Sequence, residues 1–391
     1  MFGNRLKNYA KGMAMAAILL EEGEKVALMM GNEAIARGAL EAGAQFVTAY
    51  PGTPSSEVLA NLSRVASKAG IYVEWSTNEK VAFEAAYSAA LAGLRSMTVM
   101  KHLGTHWILD PLAVAAITGV DAGLVIVSAD DPHPHSSQSS VDTRFHGRIV
   151  NIPVVEPSDP AEAKDLIVWA MDLSEEMKTP VLFRYTAAVA HSKAPVRLGP
   201  LRLEKREPNF PKDHPRLVSI APHARANIPK LFERLERVEK VFEGEPFVQR
   251  FGPDSGVWGL ITTGVPHNYA MDVLAAEGLL ERVPVLKLIG QYPIPEGPVL
   301  DFLRSVDKVV VLEELEPFVE DQVIRIAKLN GVEVEIYGKN TGHLPRYGEY
   351  SPELVGRVLS DLFDVNYPAL ALATLDEVSS SVERRIPQMC A

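Results

Sequence analysis

Cysteine is almost missing from this chain of 391 residues: the only one is Cys390, at the penultimate position. One thiol closes no internal disulfide and cannot hold an iron–sulfur cluster on the chain's own thiolates, so any cluster working with this protein belongs elsewhere. No apolar run approaches the roughly 18 to 20 residues that span a bilayer. No stretch is dense in Lys and Arg, and the formal charge is -11. That leaves no footprint for neutralising phosphates and argues against a nucleic-acid partner. Neither a Gly-Lys-Ser/Thr phosphate loop nor a Gly-x-Gly-x-x-Gly follows any strand-like segment, which removes the common nucleotide-binding sheets. Arg5, Lys7 and Lys11 precede the short apolar run Met13 to Leu20, but Glu21, Glu22 and Glu24 stand where a small-residue cleavage site belongs. The segment therefore reads as a surface helix rather than a signal peptide, and the compartment as cytoplasmic.

What is present suits a soluble, multidomain chain. Apolar residues make up 47% and charged residues 23%, and the length exceeds what one core usually serves. From Ala27 to about Tyr185, strand-like and helical patterns alternate, which predicts a doubly wound, mainly parallel α/β sheet. Asn32 is expected to cap a helix ended by Gly43, and Phe46 to Tyr50 reads as a buried strand. Thr53 and Pro54 suit the N-cap and first position of a helix that Gly70 ends. Ile71 to Trp75, Ser96 to Met100 and Gly123 to Ser128 are further strands, with a helix over Ser76 to Ala92. A proline-rich, charged connector spans 191–252, and a second, smaller α/β domain spans 253–365. Residues 1–26 form an N-terminal extension and 366–391 a tail.

Ligands of parallel sheets bind beyond the carboxyl ends of the strands. Those ends are Tyr50 to Ser56, Trp75 to Glu79, Lys101 to His106 and Asp130 to Ser140. Glu79 stands out, and two readings of it coexist. Ser76 and Glu79 have the spacing of a capping box, while a carboxyl in a half-apolar strand-end pocket also suits proton transfer. His102 and His106 lie four apart, and Asp130-Asp131-Pro132-His133-Pro134-His135 adds further metal-ligating types. No recognised ligand spacing is present, so no metal is expected on these residues, which read as loop histidines near an anionic ligand. Glu313, Glu314 and Glu316 read as complements to a helix dipole, and Gly264-Val265-Pro266 as a weak anion-binding helix start.

Several strings, in order, resemble the large subunit of indolepyruvate ferredoxin oxidoreductases, in the 2-oxoacid:ferredoxin oxidoreductase family. They begin with Gly31 to Ala39, Ala49-Tyr50-Pro51-Gly52-Thr53-Pro54-Ser55-Ser56-Glu57 and Glu74-Trp75-Ser76-Thr77-Asn78-Glu79-Lys80. Met100-Lys101-His102, Ala129 to Pro132, His135 to Gln138, Glu156 to Pro160, Val311 to Pro317 and Leu344-Pro345-Arg346 continue the match. Thr105-His106, His133 and Ser139-Ser140-Val141 depart from it. The resemblance implies a thiamine diphosphate aminopyrimidine-binding domain over 27–190 and a transketolase C-terminal-like domain over 253–365. It implies that Glu79 contacts the aminopyrimidine as the catalytic acid, with Tyr50, Pro51, Gly52, Asp131 and His135 beside the cofactor. Thr53, Ser55, Lys101, His102 and Arg144 would bind the oxoacid, whose carboxylate needs a cation.

The tail Arg385 to Ala391 resembles the entry to the family's diphosphate-binding domain, so the magnesium ion and [4Fe–4S] clusters are expected in a partner chain. Partner subunits carrying the diphosphate-binding, iron–sulfur and gamma-type domains are expected, with ferredoxin, a 2-oxoacid and coenzyme A as reactants and no membrane. The implied reaction is oxidative decarboxylation of indolepyruvate or another aryl pyruvate to acyl-CoA in a hetero-oligomer. The alternatives are a non-redox thiamine enzyme of the decarboxylase or transketolase type and a non-catalytic interaction protein.

Overall fold

The structure, a computed structural model, describes residues 18–135 and 137–364. The expectations for residues 1–17, for 365–391 with Cys390, and for Ser136 lie outside the described residues. Fourteen strands occur among the described residues: β1 (Val26–Met30), β2 (Phe46–Ala49), β3 (Tyr72–Trp75), β4 (Ser96–Lys101), β5 (Leu124–Asp130), β6 (Val154–Val155), β7 (Val181–Thr186), β8 (Lys193–Arg197), β9 (Val248–Phe251), β10 (Gly256–Thr262), β11 (Val285–Leu288), β12 (Gly290–Tyr292), β13 (Val306–Leu312) and β14 (Glu335–Tyr337). Two compact units divide them.

The first unit takes residues 18–130, 141–242 and 290–295. Its sheet runs β12-β6-β7-β5-β4-β2-β3, parallel except for the edge strand β12. β5, β7 and nearly all of β4 are buried along their length, as in a parallel sheet covered on both faces. Helix Ser56–Ala69 stops at Gly70, whose φ of 68° is left-handed. Helix Pro160–Met177 starts on Asp159, whose carboxylate accepts from the Glu162 amide, with proline in its first turn. A core that includes Phe83, Met100, Leu112, Ile126 and Leu182 extends to Leu231 of helix Ala221–Phe242.

Three local expectations need correction. Asn32 caps nothing: helix Gly31–Glu41 begins before it, and its side-chain amide donates to the Pro54 carbonyl at 2.7 Å while Tyr185 donates to its Oδ1 at 2.8 Å. Thr53 is not an N-cap. The Gly52 carbonyl accepts from the Ser55 and Ser56 amides, so a turn intervenes and the helix starts at Ser56. The capping box from Ser76 is absent as well. The Ser76 amide is still bonded to Ala49 O at 2.8 Å, as a continuation of the sheet, and the helix starts at Glu79 with Asn78 as its cap.

The span 191–252 is structured: β8 pairs antiparallel with β1, helix Ala221–Phe242 belongs to the first unit, and β9 joins the other sheet. The second unit takes residues 131–140, 243–289 and 296–364, described apart from Ser136. Its sheet runs β14-β13-β10-β11-β9, with only β9 antiparallel. Helices Gly264–Ala276, Glu296–Leu303, Phe318–Leu329 and Pro352–Phe363 complete it. The Glu313 carboxylate accepts from the Val319 and Glu320 amides, Glu314 accepts from the Tyr350 amide, and Glu316 pairs with Arg346. Glu313 alone sits at a helix start, as the dipole reading expected of all three; Glu314 serves the loop at Tyr350 and Glu316 an exposed ion pair.

Candidate functional site at the carboxyl edge of the parallel sheet

In the first unit, β2, β3 and β4 end side by side, and the loops that follow carry most of the residues singled out above. After β2 comes Tyr50 to Ser55. Tyr50, Pro51 and Thr53 are exposed, whereas Ser55 is buried with its hydroxyl donating to Gly52 O at 2.9 Å. The Gly52 amide donates to Ser56 Oγ at 2.8 Å, which fixes the turn. A Cβ on Gly52 would lie 3.0 and 3.1 Å from Lys101 Cγ and Cδ, so the absent side chain lets the stem of Lys101 pass close to the turn.

After β3, Asn78 Oδ1 accepts from the Val81 amide at 2.9 Å, which leaves Glu79 as the first helical residue. A carboxylate there sits at the positive end of the helix dipole. Glu79 is half-buried, and its side chain packs against Gly104, whose hypothetical Cβ would lie 2.5 Å from Glu79 Cγ. The hydroxyl of Ser76 is buried and has no hydrogen-bond partner among the described groups. A buried polar atom left unsatisfied in a native site calls for an explanation, and a bound polar ligand supplies one.

After β4, His102 opens the short helix His102–Trp107 and is fully buried. Its carbonyl accepts from Thr105 Oγ1 at 2.6 Å. Because the hydroxyl proton of Thr105 is spent there, the 2.7 Å contact between Thr105 Oγ1 and His146 Nδ1 requires Nδ1–H on His146. Burial, with the neighbouring His106 adding to it, pulls the His146 imidazole down to about 4, so it is neutral near pH 7. Sequence reasoning did not single out His146. The rings of His106 and His146 meet edge-on at 4.5 Å.

Arg144 is fully enclosed, which is not the posture expected of an open anion receptor. Its Nε donates to Asp142 Oδ1 at 2.8 Å and its Nη1 to Gln291 Oε1 at 3.3 Å. Gln291 also donates to Glu156, which pairs with Arg184, and Arg184 Nε donates to Asp130 at 2.9 Å. Three buried carboxylates thus face two guanidiniums. Burial pushes the Asp130 carboxyl up despite Arg184, whereas Asp142, although burial also pushes it up, is held below the carboxylate range by Arg144. Of this network the sequence singled out Arg144 as a cation and placed Asp130 and Glu156 in matching strings, but not Asp142, Gln291 or Arg184. A further clue was an arginine, Arg184, in the middle of the largely apolar run Val181 to Thr186.

Asp131 and His135 belong to the second unit. The Asp131 carboxylate accepts from the His135 amide at 3.1 Å, and His135 Nε2 lies 3.1 Å from Glu349 Oε2. The ligating atoms of Asp131, His135 and Glu349 all fall within 4.8 Å of one another, a donor set that could hold a cation. The Pro132 carbonyl accepts from the Gly348 amide at 3.2 Å and ties the two loops together. No described helix is long and apolar enough to cross a membrane.

Residues 37–243 match the family model described as pyruvate flavodoxin/ferredoxin oxidoreductase, thiamine diphosphate-binding. Over 377 residues the chain is 40% identical to indolepyruvate oxidoreductase subunit IorA of Thermococcus kodakarensis, covering 94% of this chain and 58% of that protein. The same subunit of Archaeoglobus fulgidus is 42% identical over 342 residues, covering 86% of this chain and 53% of its own. The chain thus spans between half and three-fifths of these relatives' length. Among solved structures, a 2-oxoglutarate:ferredoxin oxidoreductase from Magnetococcus marinus superimposes with TM-score 0.67 at 19% identity, over 87% of this chain and 66% of that one. A split-gene transketolase gives TM-score 0.51 at 13% identity, over 88% of this chain and all of that one. Both likenesses are of fold.

Proposed function

We propose, for a chain that belongs to the thiamine-diphosphate-binding 2-oxoacid:ferredoxin oxidoreductase family, that it supplies the aminopyrimidine side of the cofactor site in an indolepyruvate-type oxidoreductase. Residues 27–190 would be the aminopyrimidine-binding domain and 253–365 the transketolase C-terminal-like domain. Magnesium, [4Fe–4S] clusters and gamma-type domains would lie on partner chains, ferredoxin would take the electrons, and coenzyme A the acyl group, in the cytoplasm.

The observation that carries the reading is the state of Glu79. Asn78 performs the capping that the sequence offered as Glu79's ordinary explanation. That leaves a half-buried carboxylate at the carboxyl edge of a parallel sheet, in a chain about 40% identical to indolepyruvate oxidoreductase subunits. The residues suit the aminopyrimidine: Glu79 is an acid for a ring nitrogen, and the unsatisfied Ser76 hydroxyl is a second polar contact. Thiamine diphosphate, when bound, supplies the nucleophilic carbon and the electron sink for a 2-oxoacid.

Glu79 holds or gives a proton at its carboxylate. Tyr50, Pro51 and Thr53, exposed around the turn at Gly52, are left open to a ligand. Lys101 is the more accessible of the cations proposed for the oxoacid carboxylate, because Arg144 is enclosed with Asp142 and His102 is buried. Asp131 and His135, placed beside the cofactor by the family resemblance, are tied in this chain to their own loop and to Glu349.

The test is oxoacid-dependent reduction of benzyl viologen or ferredoxin by the natively purified complex. Indolepyruvate, phenylpyruvate and pyruvate are each supplied with coenzyme A and thiamine diphosphate. A drop of about a hundredfold in Glu79→Gln, the scale of a positioned acid–base group, is the expected result. No reduction with any oxoacid, in a complex containing the partner and its clusters, overturns the reading.

A further inference from the structure

We infer that Gly104 is a positioning residue that sets where the Glu79 carboxylate stands, and that any side chain at 104 displaces it. The inference rests on the proposed role of Glu79.

A Cβ built on Gly104 would meet Glu79 Cγ at 2.5 Å, Glu79 Oε1 at 3.1 Å and Met100 Cβ at 2.9 Å. Carbon atoms in contact settle at about 3.5 Å or beyond, so an alanine here requires a displacement of about 1 Å. Met100 Cβ is anchored in β4, a strand paired on both sides with β2 and β5, so its 2.9 Å contact is relieved by a shift of about half an ångström in the short helix His102–Trp107, which does not clear the closer collision with Glu79. Glu79 Cγ belongs to a flexible side chain at the first turn of its helix, so Glu79 is the group that yields. The start of that helix is itself held, because Asn78 caps it and Thr48 Oγ1 donates to Ala82 O at 2.7 Å.

Nothing in the backbone asks for glycine at 104. The residue lies inside helix His102–Trp107, outside the left-handed region, where alanine is the better helix former. The missing side chain is accounted for by the carboxylate beside it.

The assembled complex tests this with four variants, each measured for kcat, for KM of the oxoacid and of thiamine diphosphate, and for thermal midpoint. Misplacing a reacting group by about 1 Å costs on the order of a hundredfold in rate, so Gly104→Ala is expected to lower kcat about that much while KM for the oxoacid stays within about twofold. Added to Glu79→Gln, the same substitution is expected to cost little more, since the acid through which it acts is already gone. Gly38→Ala creates an equal collision, 2.5 Å from Lys164 O between two helices away from the site, and is expected to lower the thermal midpoint without changing kcat of the folded complex.

Should Gly104→Ala fail to assemble, Glu79→Asp moves the carboxylate without a clash and is expected to lose activity to a similar degree. Wild-type kcat in Gly104→Ala or in Glu79→Asp overturns the inference, as does a full, multiplicative loss from Gly104→Ala in the Glu79→Gln background. Wild-type activity in Glu79→Gln sinks the reading of Glu79 itself and takes the role of Gly104 with it, a result distinguishable from the others.

Discussion

At Arg184 a full positive charge lies inside a strand whose six residues are all buried. Its guanidinium spans Asp130 through Nε and Glu156 through Nη1, and Glu156 in turn accepts from Gln291. Removing one partner of such a group leaves the others uncompensated, which costs about 3 to 5 kcal/mol, far more than a pair of the same charges would contribute at the surface. Arg184→Met is therefore expected to destabilise the fold by that amount in urea denaturation. Arg184→Lys should recover little, because an ammonium cannot reach both carboxylates with a fixed fork. A loss under about 1 kcal/mol in Arg184→Met would mean that the network is solvated and not the closed system its burial describes. Arg144 was legible as a cation in the sequence, but its commitments were not. Asp142 is two residues away and easily guessed, whereas Gln291 lies 147 positions along the chain and arrives through a three-residue edge strand that no periodicity marks.

At the scale of elements, the strands Phe46–Ala49, Ser96–Lys101 and Leu124–Asp130 were legible because parallel strands buried on both faces are written as mainly apolar runs, and Gly70 ended its helix as read. The starts of the helices at the site were not legible. Ser76, Thr77 and Asn78 are all competent caps, and what decides among them is that the sheet still claims the Ser76 amide. The contest has a measurable consequence. Asn78→Ala is expected to cost about 1 kcal/mol, the usual worth of an N-cap, whereas Ser76→Ala, which removes a hydroxyl that is buried without a partner, should be neutral or slightly stabilising in the absence of cofactor. Thermal denaturation of the two variants separates the assignments, and a capping box would give the opposite order. If Ser76 also serves the aminopyrimidine, its variant should raise the thiamine diphosphate concentration needed for half-maximal activity.

For the molecule as a whole, each compact unit keeps a neutral imidazole indoors. In the first, burial lowers His146 to about 4, with His106 and His102 lowering it further and Asp142 opposing them. In the second, burial and then Lys287 lower His267 to about 3, and Thr262 Oγ1 lies 2.9 Å from its ring. Unfolding returns both to about 6.5, so between that value and the folded one the unfolded chain binds more protons, and stability falls as pH falls through this window. From pH 7 to pH 5 each histidine should remove about 2 kcal/mol. Net charge works the other way: a chain at -11 with 10 histidines loses self-repulsion as the exposed imidazoles charge. A direct melt therefore mixes the two effects. His146→Asn separates them, because its amide can replace Nδ1–H as the donor to Thr105 without titrating. The difference in unfolding free energy between pH 7 and pH 5 should shrink by about 2 kcal/mol relative to wild type. Equal pH slopes in His146→Asn and wild type would show that His146 is charged or solvated in the folded state, and would remove the neutral Nδ1–H form assigned to it through Thr105.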